Sequence, residues 1–417
     1  MLNQNFTEQQ FSYLARQVDY WSYFKSASSD QSKILKKDHL QKIEDDLDVE
    51  NYNFLPLTTF KLNGNQVYSV QKVDTAGTNK QRIISDDFIL RKINQNLLRI
   101  YKIKQADRFQ IISNVKALLY QPLPFHVCKL DIKSFYESVD RNKILNDLNE
   151  SALLSFNTKT LLKRFFQTFP PTFSGLPRGI NISAILSEYY MKGFDAYMRS
   201  QPQYYYYARF VDDIIIFSTE KIDNDEINSI GSRLPKGLQL NEEKSKIFNL
   251  ADRDIQKNKI VYLGYEFEYE KKDGKKTVTT KIAEKKINKI KSRIISCFID
   301  YKQNNNLPLL KDRLIFLTAT YPLKTQRQKL SKYEAAGYLH GGIFYSYPLI
   351  DDLSCLKNLD TFFNQVLWAK KFTRISLPLT KAQKDSLKKY SFLQGYKRRI
   401  SRKFSLEHLQ RIIRCWN

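Results

Sequence analysis

The chain of 417 residues carries 68 lysines and arginines against 43 aspartates and glutamates, a net charge of +25. Its hydrophobic content of 42% and aromatic content of 13% exclude a disordered protein, and its apolar stretches are too short to cross a membrane. The basic surplus lies almost wholly in residues 271–417, where 32 lysines and arginines face 10 acidic residues. A segment with this charge predicts a polyanionic partner, and we expect a nucleic acid.

The cysteines and the N-terminal residues bear on the compartment. The four cysteines are far apart and show no metal-type pair spacing; they are Cys128, Cys297, Cys355 and Cys415. Residues 1–8 lack the basic and apolar regions of a signal peptide. Reduced thiols without an export signal predict a cytoplasmic location.

In chain order, the first 50 residues predict helices, because apolar residues recur at helical spacing through Val18 and again from 35 to 47. Asn63-Gly64, between two strand-like runs, predicts a hairpin. The later predicted elements are a helix at 89–101, a strand at 125–132, a helix capped by Asp140, a turn at 175–179, a helix capped by Ser183, a hairpin at 204–218, a helix near 225–233, strands near 238–240 and 246–250, a strand at 261–267 that bends at Gly264, and helices from 281 onward. This order predicts an α+β fold with helices on one face of an antiparallel sheet.

Three carboxylates stand where predicted strands end. Asp131 closes one strand, and Asp212 and Asp213 form the break in the hairpin at 204–218. Adjacent like charges repel each other unless a cation lies against them, and neighbouring antiparallel strands would bring all three acids to one sheet edge. Three converging carboxylates would suit two Mg²⁺ ions about 3.5–4 Å apart, the arrangement used in phosphoryl transfer. The alternative is a solvent-exposed acidic turn.

Five segments resemble, in order, motifs of reverse transcriptases. They are LDIKSFY at 130–136, LPRGINIS at 176–183, FVDD at 210–213, LNEEKS at 240–245 and YLGY at 262–265. Each motif alone is a weak signal, but their shared order over about residues 60–270 is a strong one. The resemblance implies a right-hand polymerase fold. Residues 1–50 would be an N-terminal helical extension, 51–270 the fingers and palm, and 271–417 a basic α-helical thumb and C-terminal region.

The resemblance implies a metal-binding role for the acids. Asp131, Asp212 and Asp213 would be the catalytic residues. Asp131 and Asp212 would bind the metal with the carbonyl of Ile132, while Asp213 would be an intermittent ligand or only a turn residue. The cofactor would be two Mg²⁺ ions, with Mn²⁺ as an alternative.

The resemblance also implies which residues bind the nucleotide and the primer. The nucleotide-binding residues would be Lys80, Arg82, Phe135, Tyr136, Arg178 and Lys244, and the primer-grip residues would be Leu263, Gly264 and Tyr265. Lys80 and Arg82 would neutralise phosphates, and Lys244 would protonate or stabilise the leaving pyrophosphate. The sugar gate that rejects ribonucleotides would be Phe135 or Tyr136, because alignments of the family's branches differ by one residue.

Three positions depart from the family motifs. Phe210 replaces a tyrosine, and Arg178 replaces a glutamine and places a fixed cation near the template–nucleotide pair. Val211 is β-branched and stiffer than the usual residue, so we expect less space beneath the primer end.

Two basic segments of the last third predict contacts with nucleic acid. Lys285 and Lys289 lie beside the apolar face of a predicted helix, as expected of a thumb helix along a duplex. The second segment holds Lys397, Arg398, Arg399, Arg402 and Lys403, with aromatic residues nearby. Such interleaving suits structured or single-stranded RNA; the alternative is a charged helix whose aromatic residues are core.

The resemblance favours a compact bacterial enzyme of the retron, abortive-infection or defence-associated group. No RNase H, zinc or endonuclease pattern follows residue 270, and residues 335–347 are similar to the helical tails of type 3 defence-associated enzymes, with which a second reverse transcriptase and a noncoding RNA are encoded. The expected function is RNA-directed synthesis of DNA from dNTPs, on a noncoding or other template RNA, in anti-phage defence. The alternatives are protein-primed or untemplated DNA synthesis on the same fold, and a non-catalytic RNA-binding scaffold.

Overall fold

The computed structural model describes residues 2–26, 28–62, 65–70, 79–121, 125–170, 172–250, 258–272, 275–328, 337–368 and 377–416. The chain divides into two compact units. The first comprises Met1–Arg108 and Pro124–Ala251, and the second comprises Phe109–Leu123 and Asp252–Asn417. The division falls before the boundary expected at residue 270. The assignment of fingers, palm and thumb to the predicted ranges stays a prediction.

The helices are α1 (Glu8–Leu14), α2 (Gln17–Ser22), α3 (Ser29–Asp45), α4 (Lys80–Ile100), α5 (Arg108–Leu119), α6 (Phe135–Ser138), α7 (Arg141–Glu150), α8 (Phe156–Gln167), α9 (Asn181–Ser200), α10 (Asn224–Ser232), α11 (Glu284–Asn304), α12 (Leu307–Thr318), α13 (Ile343–Ser346), α14 (Ser354–Trp368), α15 (Lys381–Leu387), α16 (Phe392–Arg398) and α17 (Leu406–Ile413). Short 3₁₀ turns lie at Glu242–Lys244 and Arg414–Trp416. None of the described helices combines the length and the apolar character that crossing a membrane requires.

The strands are β1 (Thr58–Leu62), β2 (Asn65–Ser69), β3 (His126–Asp131), β4 (Tyr204–Phe210), β5 (Asp213–Ser218), β6 (Lys246–Asn249), β7 (Asn258–Tyr262), β8 (Tyr265–Lys272), β9 (Lys275–Ile282), β10 (Thr320–Gln328) and β11 (Gly337–Gly342). In the first unit β1 pairs with β2, and an antiparallel sheet has the order β4-β5-β3-β6. The second unit has a sheet of order β7-β8-β9 and the pair β10-β11.

The main core of the first unit lies around its four-stranded sheet. The central strand β5 is apolar from Ile214 to Phe217, and all four residues are buried, as in a strand covered on both faces. Helices α4 and α9 bury their apolar faces in the same core. The predicted hairpin at 204–218 is confirmed as β4 and β5.

Three local predictions in the first unit have different outcomes. Asp140 caps α7, because its Oδ1 accepts a hydrogen bond from the amide of Lys143 at 3.0 Å. Ser183 is not the cap of α9, since the helix begins at Asn181 and the Ser183 hydroxyl instead donates to Pro177 O at 2.6 Å. The strand expected at 238–240 is reduced to one bridge between Leu240 and Ile132.

The second unit departs further from the predicted elements. The single strand expected at 261–267 is two strands, β7 and β8, joined by Leu263 and Gly264, which both have positive φ angles of 45° and 83°. Such a turn matches the twist of a hairpin. The helical prediction from residue 281 holds for α11 to α17, but β10 and β11 interrupt it. The turn predicted at Asn63-Gly64 lies outside the described residues.

Candidate active site

Main-chain hydrogen bonds bring the three predicted acids together at one edge of the first unit's sheet. Asp131 and Asp213 are direct partners in the antiparallel ladder of β3 and β5, so their side chains share one face of the sheet. Ile132 N donates to Asp212 O at 3.1 Å, and Asn241 N donates to Asp131 O at 2.7 Å. The backbone thus fixes the spacing of the acids.

Burial and mutual repulsion raise the pKa values of two of the acids, Asp212 and Asp213. Burial raises the pKa of Asp213 to about 6; Lys129 opposes this rise, and the charges of Asp212 and Asp131 add to it. Burial also raises the pKa of Asp212, and the charge of Asp131 reinforces the effect. Carboxylates in such a setting gain from a nearby cation.

Lys244 supplies one cation at this edge. It ends the 3₁₀ turn that follows Asn241, and its Nζ lies 3.0 Å and 3.2 Å from the two carboxylate oxygens of Asp131. These hydrogen bonds raise the pKa of Lys244. The structure therefore brings together the three predicted acids and Lys244.

The donor groups at the edge have the chemistry that the predicted metal requires. Carboxylate and backbone carbonyl oxygens are the ligands that Mg²⁺ prefers. Within the described residues, no group of three or more Asp, Glu, His or Cys side chains is already arranged to hold a metal ion. A metal at Asp131 would compete with Lys244, which engages both oxygens of that carboxylate. The metal site stays a prediction.

The turn that carries Asp212 has an unusual backbone. Val211 has a φ of 60°, a conformation that disfavours β-branched side chains and costs about 1–3 kcal/mol. Such a conformation persists where the surrounding contacts hold it in place. The sequence indicated that Val211 is stiff, but it did not indicate this conformation.

A buried cation behind the acidic turn was missed by the sequence analysis. The Arg209 guanidinium donates to the carboxylates of Glu188 and Asp195 and to Val211 O. The signal in the sequence was an arginine inside a run of strand-forming residues, which needs a partner when buried.

A pocket of about 450 Å³ lies in the first unit. It is lined by Asn65, Val67, Tyr136, Arg178, Gly179, Ile180, Asn181, Ser183 and Ala184. The charge of Asp212, in the acidic turn, acts on two residues that line this pocket, Tyr136 and Arg178. Burial is the main cause of the raised pKa of Tyr136, and the charge of Asp212 makes a smaller contribution in the same direction. The pKa of Arg178 is raised mainly by its hydrogen bond with Glu137, and the charge of Asp212 raises it further.

The two candidate gate residues have different environments. Phe135 is only 1% exposed and belongs to the core. Tyr136 is half-buried, lines the pocket and packs against the Arg178 guanidinium, whose carbon lies 5.3 Å from the ring centre. Tyr136 therefore lines the pocket, whereas Phe135 belongs to the core.

Arg178 and Gly179 hold one wall of this pocket. The Arg178 guanidinium forms a two-bond ion pair with Glu137, and Arg178 O accepts a hydrogen bond from Tyr68 N at 2.7 Å. Gly179 has a φ of 95°, and a Cβ atom there would lie 2.4 Å from Val67 Cγ1. Only glycine allows β2 to approach this closely.

Lys80 and Arg82 lie in the first turn of α4. The Arg82 guanidinium already has partners, because it donates to Asn53 O and stacks 4.3 Å from the ring centre of Tyr52. It also lies 4.0 Å from Asp86. The predicted contacts of Lys80 and Arg82 with phosphates stay a prediction.

The predicted primer-grip residues belong to the second unit. Leu263 and Gly264 form the turn between β7 and β8, and Tyr265 is buried. The Tyr265 hydroxyl donates to Ser346 O at 3.5 Å, and its ring packs edge-on against Tyr347. These contacts explain how the hairpin is anchored within its own unit.

The predicted nucleic-acid-binding residues also belong to the second unit. Lys285 and Lys289 are exposed on α11, whose other face buries Ile287 and Ile294. A basic cluster, defined here as residues 397–403, exposes the side chains of Lys397, Arg398, Arg399, Arg402 and Lys403.

Backbone contacts fix the shape of the basic cluster. Thr320 N donates to Ile400 O at 2.7 Å, and Arg402 N donates to Thr320 O at 2.8 Å. The Arg399 guanidinium stacks 4.5 Å from the ring centre of Phe344. The neighbouring aromatic residues Phe392, Tyr396 and Phe404 are buried, so they are core rather than a stacking surface for bases.

The acidic edge lies in a part of the chain that matches a known protein family. Residues 70–267 match the family described as reverse transcriptase (RNA-dependent DNA polymerase). These residues form a reverse transcriptase domain. The predicted α+β, right-hand polymerase fold is thereby confirmed. The matched range contains the acids, most of the residues that line the pocket, and the turn between β7 and β8.

Similar solved structures include yeast telomerases. Apo telomerase from Candida tropicalis, truncated from its C-terminal domain, is 13% identical, with 53% of this chain and 54% of that chain covered and a TM-score of 0.37. Telomerase from Candida albicans in complex with a TWJ fragment of telomeric RNA is 11% identical, with 92% and 62% covered and a TM-score of 0.39. The chain spans less than two thirds of these telomerases, and such low scores support no argument about function. No curated protein matches the chain in sequence.

Proposed function

We propose that the protein is an RNA-directed DNA polymerase that adds nucleotides from dNTPs to a primer 3′-hydroxyl. One observation carries the proposal. Inside a reverse transcriptase domain, Asp131 and Asp213 face each other across two strands, with Asp212 in the adjoining turn. Acids held together at a sheet edge beside a pocket are what metal-assisted phosphoryl transfer needs.

The chain's own residues have distinct parts in this proposal. Asp131, Asp212 and the Ile132 carbonyl would hold two Mg²⁺ or Mn²⁺ ions, with Asp213 as an intermittent ligand. When bound, the ions would activate the hydroxyl and neutralise charge on the leaving pyrophosphate. Lys244 keeps its proton beside Asp131, and it would protonate or stabilise the leaving pyrophosphate.

The pocket would receive the incoming nucleotide. Tyr136 would meet the sugar and reject a 2′-hydroxyl, because its ring lines the pocket whereas Phe135 is in the core. Arg178, fixed by Glu137, would lie near the base pair formed with the template.

The second unit would contact the template–primer duplex and the RNA. The turn at Leu263-Gly264-Tyr265 would grip the primer, and Lys285, Lys289 and the basic cluster would bind phosphates. Exposed cations on a fixed backbone support this part of the proposal.

The biological setting is proposed on the sequence resemblance. On this basis, the protein would be a cytoplasmic bacterial enzyme of anti-phage defence. A noncoding RNA would be its template, and a second reverse transcriptase would be its partner. The supporting segment, 335–347, begins outside the described residues and continues as β11 and α13. Its strand differs from the helical tail that the resemblance implied.

The test is DNA synthesis by purified protein with an RNA template, a DNA primer, dNTPs and Mg²⁺. Asp212→Asn should lower the rate by on the order of 10²–10³-fold or more, because it removes a charge that organises the transition state. The matched control is Asp225→Asn, which neutralises an exposed acid on α10 and should leave the rate unchanged. Wild-type synthesis by Asp212→Asn would refute the metal assignment.

The same reactions separate the alternatives. A product whose sequence is unrelated to the supplied RNA would favour untemplated or protein-primed synthesis. RNA binding by the wild-type protein without any DNA product would favour the scaffold.

A further inference from the structure

Arg209 lies at the end of β4, two residues before the strained turn residue Val211. Its side chain is only 2% exposed. A buried arginine is costly unless its charge and its N–H groups are all matched. Nothing in the proposed chemistry uses Arg209 directly, so its conformation needs another explanation.

All five N–H groups of Arg209 find acceptors. Nε and Nη2 donate to the two oxygens of Asp195 at 2.9 Å and 2.8 Å. Nη1 and Nη2 donate to the two oxygens of Glu188 at 3.0 Å and 2.7 Å. The second Nη1 bond goes to Val211 O at 2.9 Å. A lysine has three donors without this planar fork, and it cannot make the same set.

The two carboxylates belong to α9. Glu188 and Asp195 are seven residues apart, so two turns of the helix place them on one face. The first turn of α9 also contributes Asn181, Ser183 and Ala184 to the pocket. One rigid helix therefore carries both the pocket wall and the acids that hold Arg209.

The fifth hydrogen bond reaches the turn itself. Val211 immediately precedes Asp212, and its φ of 60° is unfavourable for a valine. Its carbonyl is held by Arg209 Nη1. This bond fixes the orientation of the peptide group from which the Asp212 residue begins.

We propose that Arg209 is a positioning residue that ties the acidic turn to α9 and so sets Asp212 relative to the nucleotide pocket. The role rests on the proposed polymerase function, because it concerns the geometry of that site. Arg209 contacts neither nucleotide nor metal in this proposal; it acts through Val211.

The main test compares Arg209→Lys with Arg199→Lys. Arg199 is an exposed cation of α9 that stacks near Tyr207, so its variant is the matched control. In Arg209→Lys we expect kcat to fall about 10–100-fold, as for other supports of metal ligands, with the KM for dNTPs changed by less than about threefold. We expect the control to behave as wild type.

Two further measurements do not depend on DNA synthesis. Amide hydrogen exchange at residues 211–213 should accelerate in Arg209→Lys while exchange in the rest of β4 and in α9 stays near wild type. Mn²⁺ titration followed by electron paramagnetic resonance should show affinity weakened about tenfold. A purely structural role would instead accelerate exchange throughout α9 and β4.

A second variant covers the case in which Arg209→Lys fails to fold. Arg209→Met combined with Glu188→Gln and Asp195→Asn removes all three charges, so none is left buried and unpaired. In this variant, hydrogen exchange at residues 211–213 should accelerate as in Arg209→Lys, and kcat should fall by a similar factor. Wild-type exchange at the turn in a folded variant, or exchange raised equally across the unit, would overturn the proposal.

The outcomes for the two proposals are distinguishable. If wild-type protein makes no DNA from an RNA template, the polymerase function fails. The hydrogen-exchange comparison still decides whether Arg209 holds the turn. If wild-type protein makes DNA and Arg209→Lys keeps its kcat, only the positioning role fails.

Discussion

The acidic edge of the first unit and the basic cluster of the second hold their cations in opposite ways. In the first, cations are engaged by carboxylates, as for Arg209 with Glu188 and Asp195 and for Lys244 with Asp131. In the second, the basic cluster exposes its cations. Paired charges inside a fold hold side chains in place. Exposed cations bind a polyanion with an affinity that falls as the salt concentration rises. The contrast supports the proposal that the acidic edge carries the chemistry and that the basic cluster binds nucleic acid.

The largest expected effect tests whether Phe135 serves the core of the first unit while Tyr136 serves its pocket. Phe135→Ala should lower the free energy of unfolding by about 3–5 kcal/mol, because it empties a core site. Tyr136→Ala should cost less stability and should instead admit ribonucleotides, since its ring lines the pocket. Urea unfolding measures the first effect, and primer extension with rNTPs or dNTPs measures the second. Unchanged rejection of rNTPs by Tyr136→Ala would contradict the gate assignment.

The next effect tests the second unit's exposed charges. Reversing Lys397, Arg398 and Lys403 to Glu should reduce the slope of log affinity for RNA against log salt by about 2–3, since each lost phosphate contact removes about 0.7–0.9. The measurement is fluorescence anisotropy of labelled RNA over a range of salt concentrations.

A triple reversal in the first unit is the control for net charge. Lys33, Lys37 and Lys42 are exposed on α3, and their change to Glu alters the net charge by the same amount. The control should retain most of the RNA affinity and nearly the wild-type slope. Equal losses in both triple variants would show that total charge, rather than the basic cluster, governs binding.

The smallest effect tests whether burial lowers the pKa of one lysine of the first unit, Lys92. Lys92 is fully buried, and its Nζ donates to Asn3 O, Gln10 Oε1 and Gln95 Oε1. Burial, with a contribution from Arg99, lowers its pKa from 10.5 to about 8. Between these two pH values the unfolded chain binds more protons than the folded one. The Lys92 contribution to stability therefore rises with pH, by at most about 1.4 kcal/mol per pH unit.

The measurement is the free energy of unfolding of wild-type protein and Lys92→Met between pH 8 and pH 10.5. The difference between the two proteins isolates Lys92 from the other lysines and tyrosines that titrate in this range. Parallel curves would show that Lys92 keeps its ordinary pKa in the folded state.

The sequence predicts best what depends on neighbouring residues. The hairpin around Asp212 follows from two strand-forming runs, and the cap at Asp140 follows from one side chain three residues before the amide it binds. The order of the motifs predicts the domain. The acids at one sheet edge follow from strand ends, because antiparallel neighbours meet there.

What the sequence leaves open depends on distant contacts. Arg209 reads as a strand residue, and its partners Asp195 and Glu188 lie 14 and 21 residues away on a helix. Ser183 has the right type for a cap, but the loop offers its hydroxyl a carbonyl at Pro177. The sequence predicts a bend at Gly264, but Leu263 carries no signal for a positive φ, so the full reversal of the chain before β8 appears only in the structure.

The main-chain hydrogen bonds that hold the acids have a consequence for cells that contain both active and inactive copies of the protein. The bonds from Ile132 N to Asp212 O and from Asn241 N to Asp131 O use main-chain atoms alone, so they persist when a carboxylate is replaced by its amide. An inactive copy made in this way keeps the shape of the site and the basic surface. Under the proposed function, it would occupy template RNA as well as an active copy does, and it would compete with active enzyme in a cell.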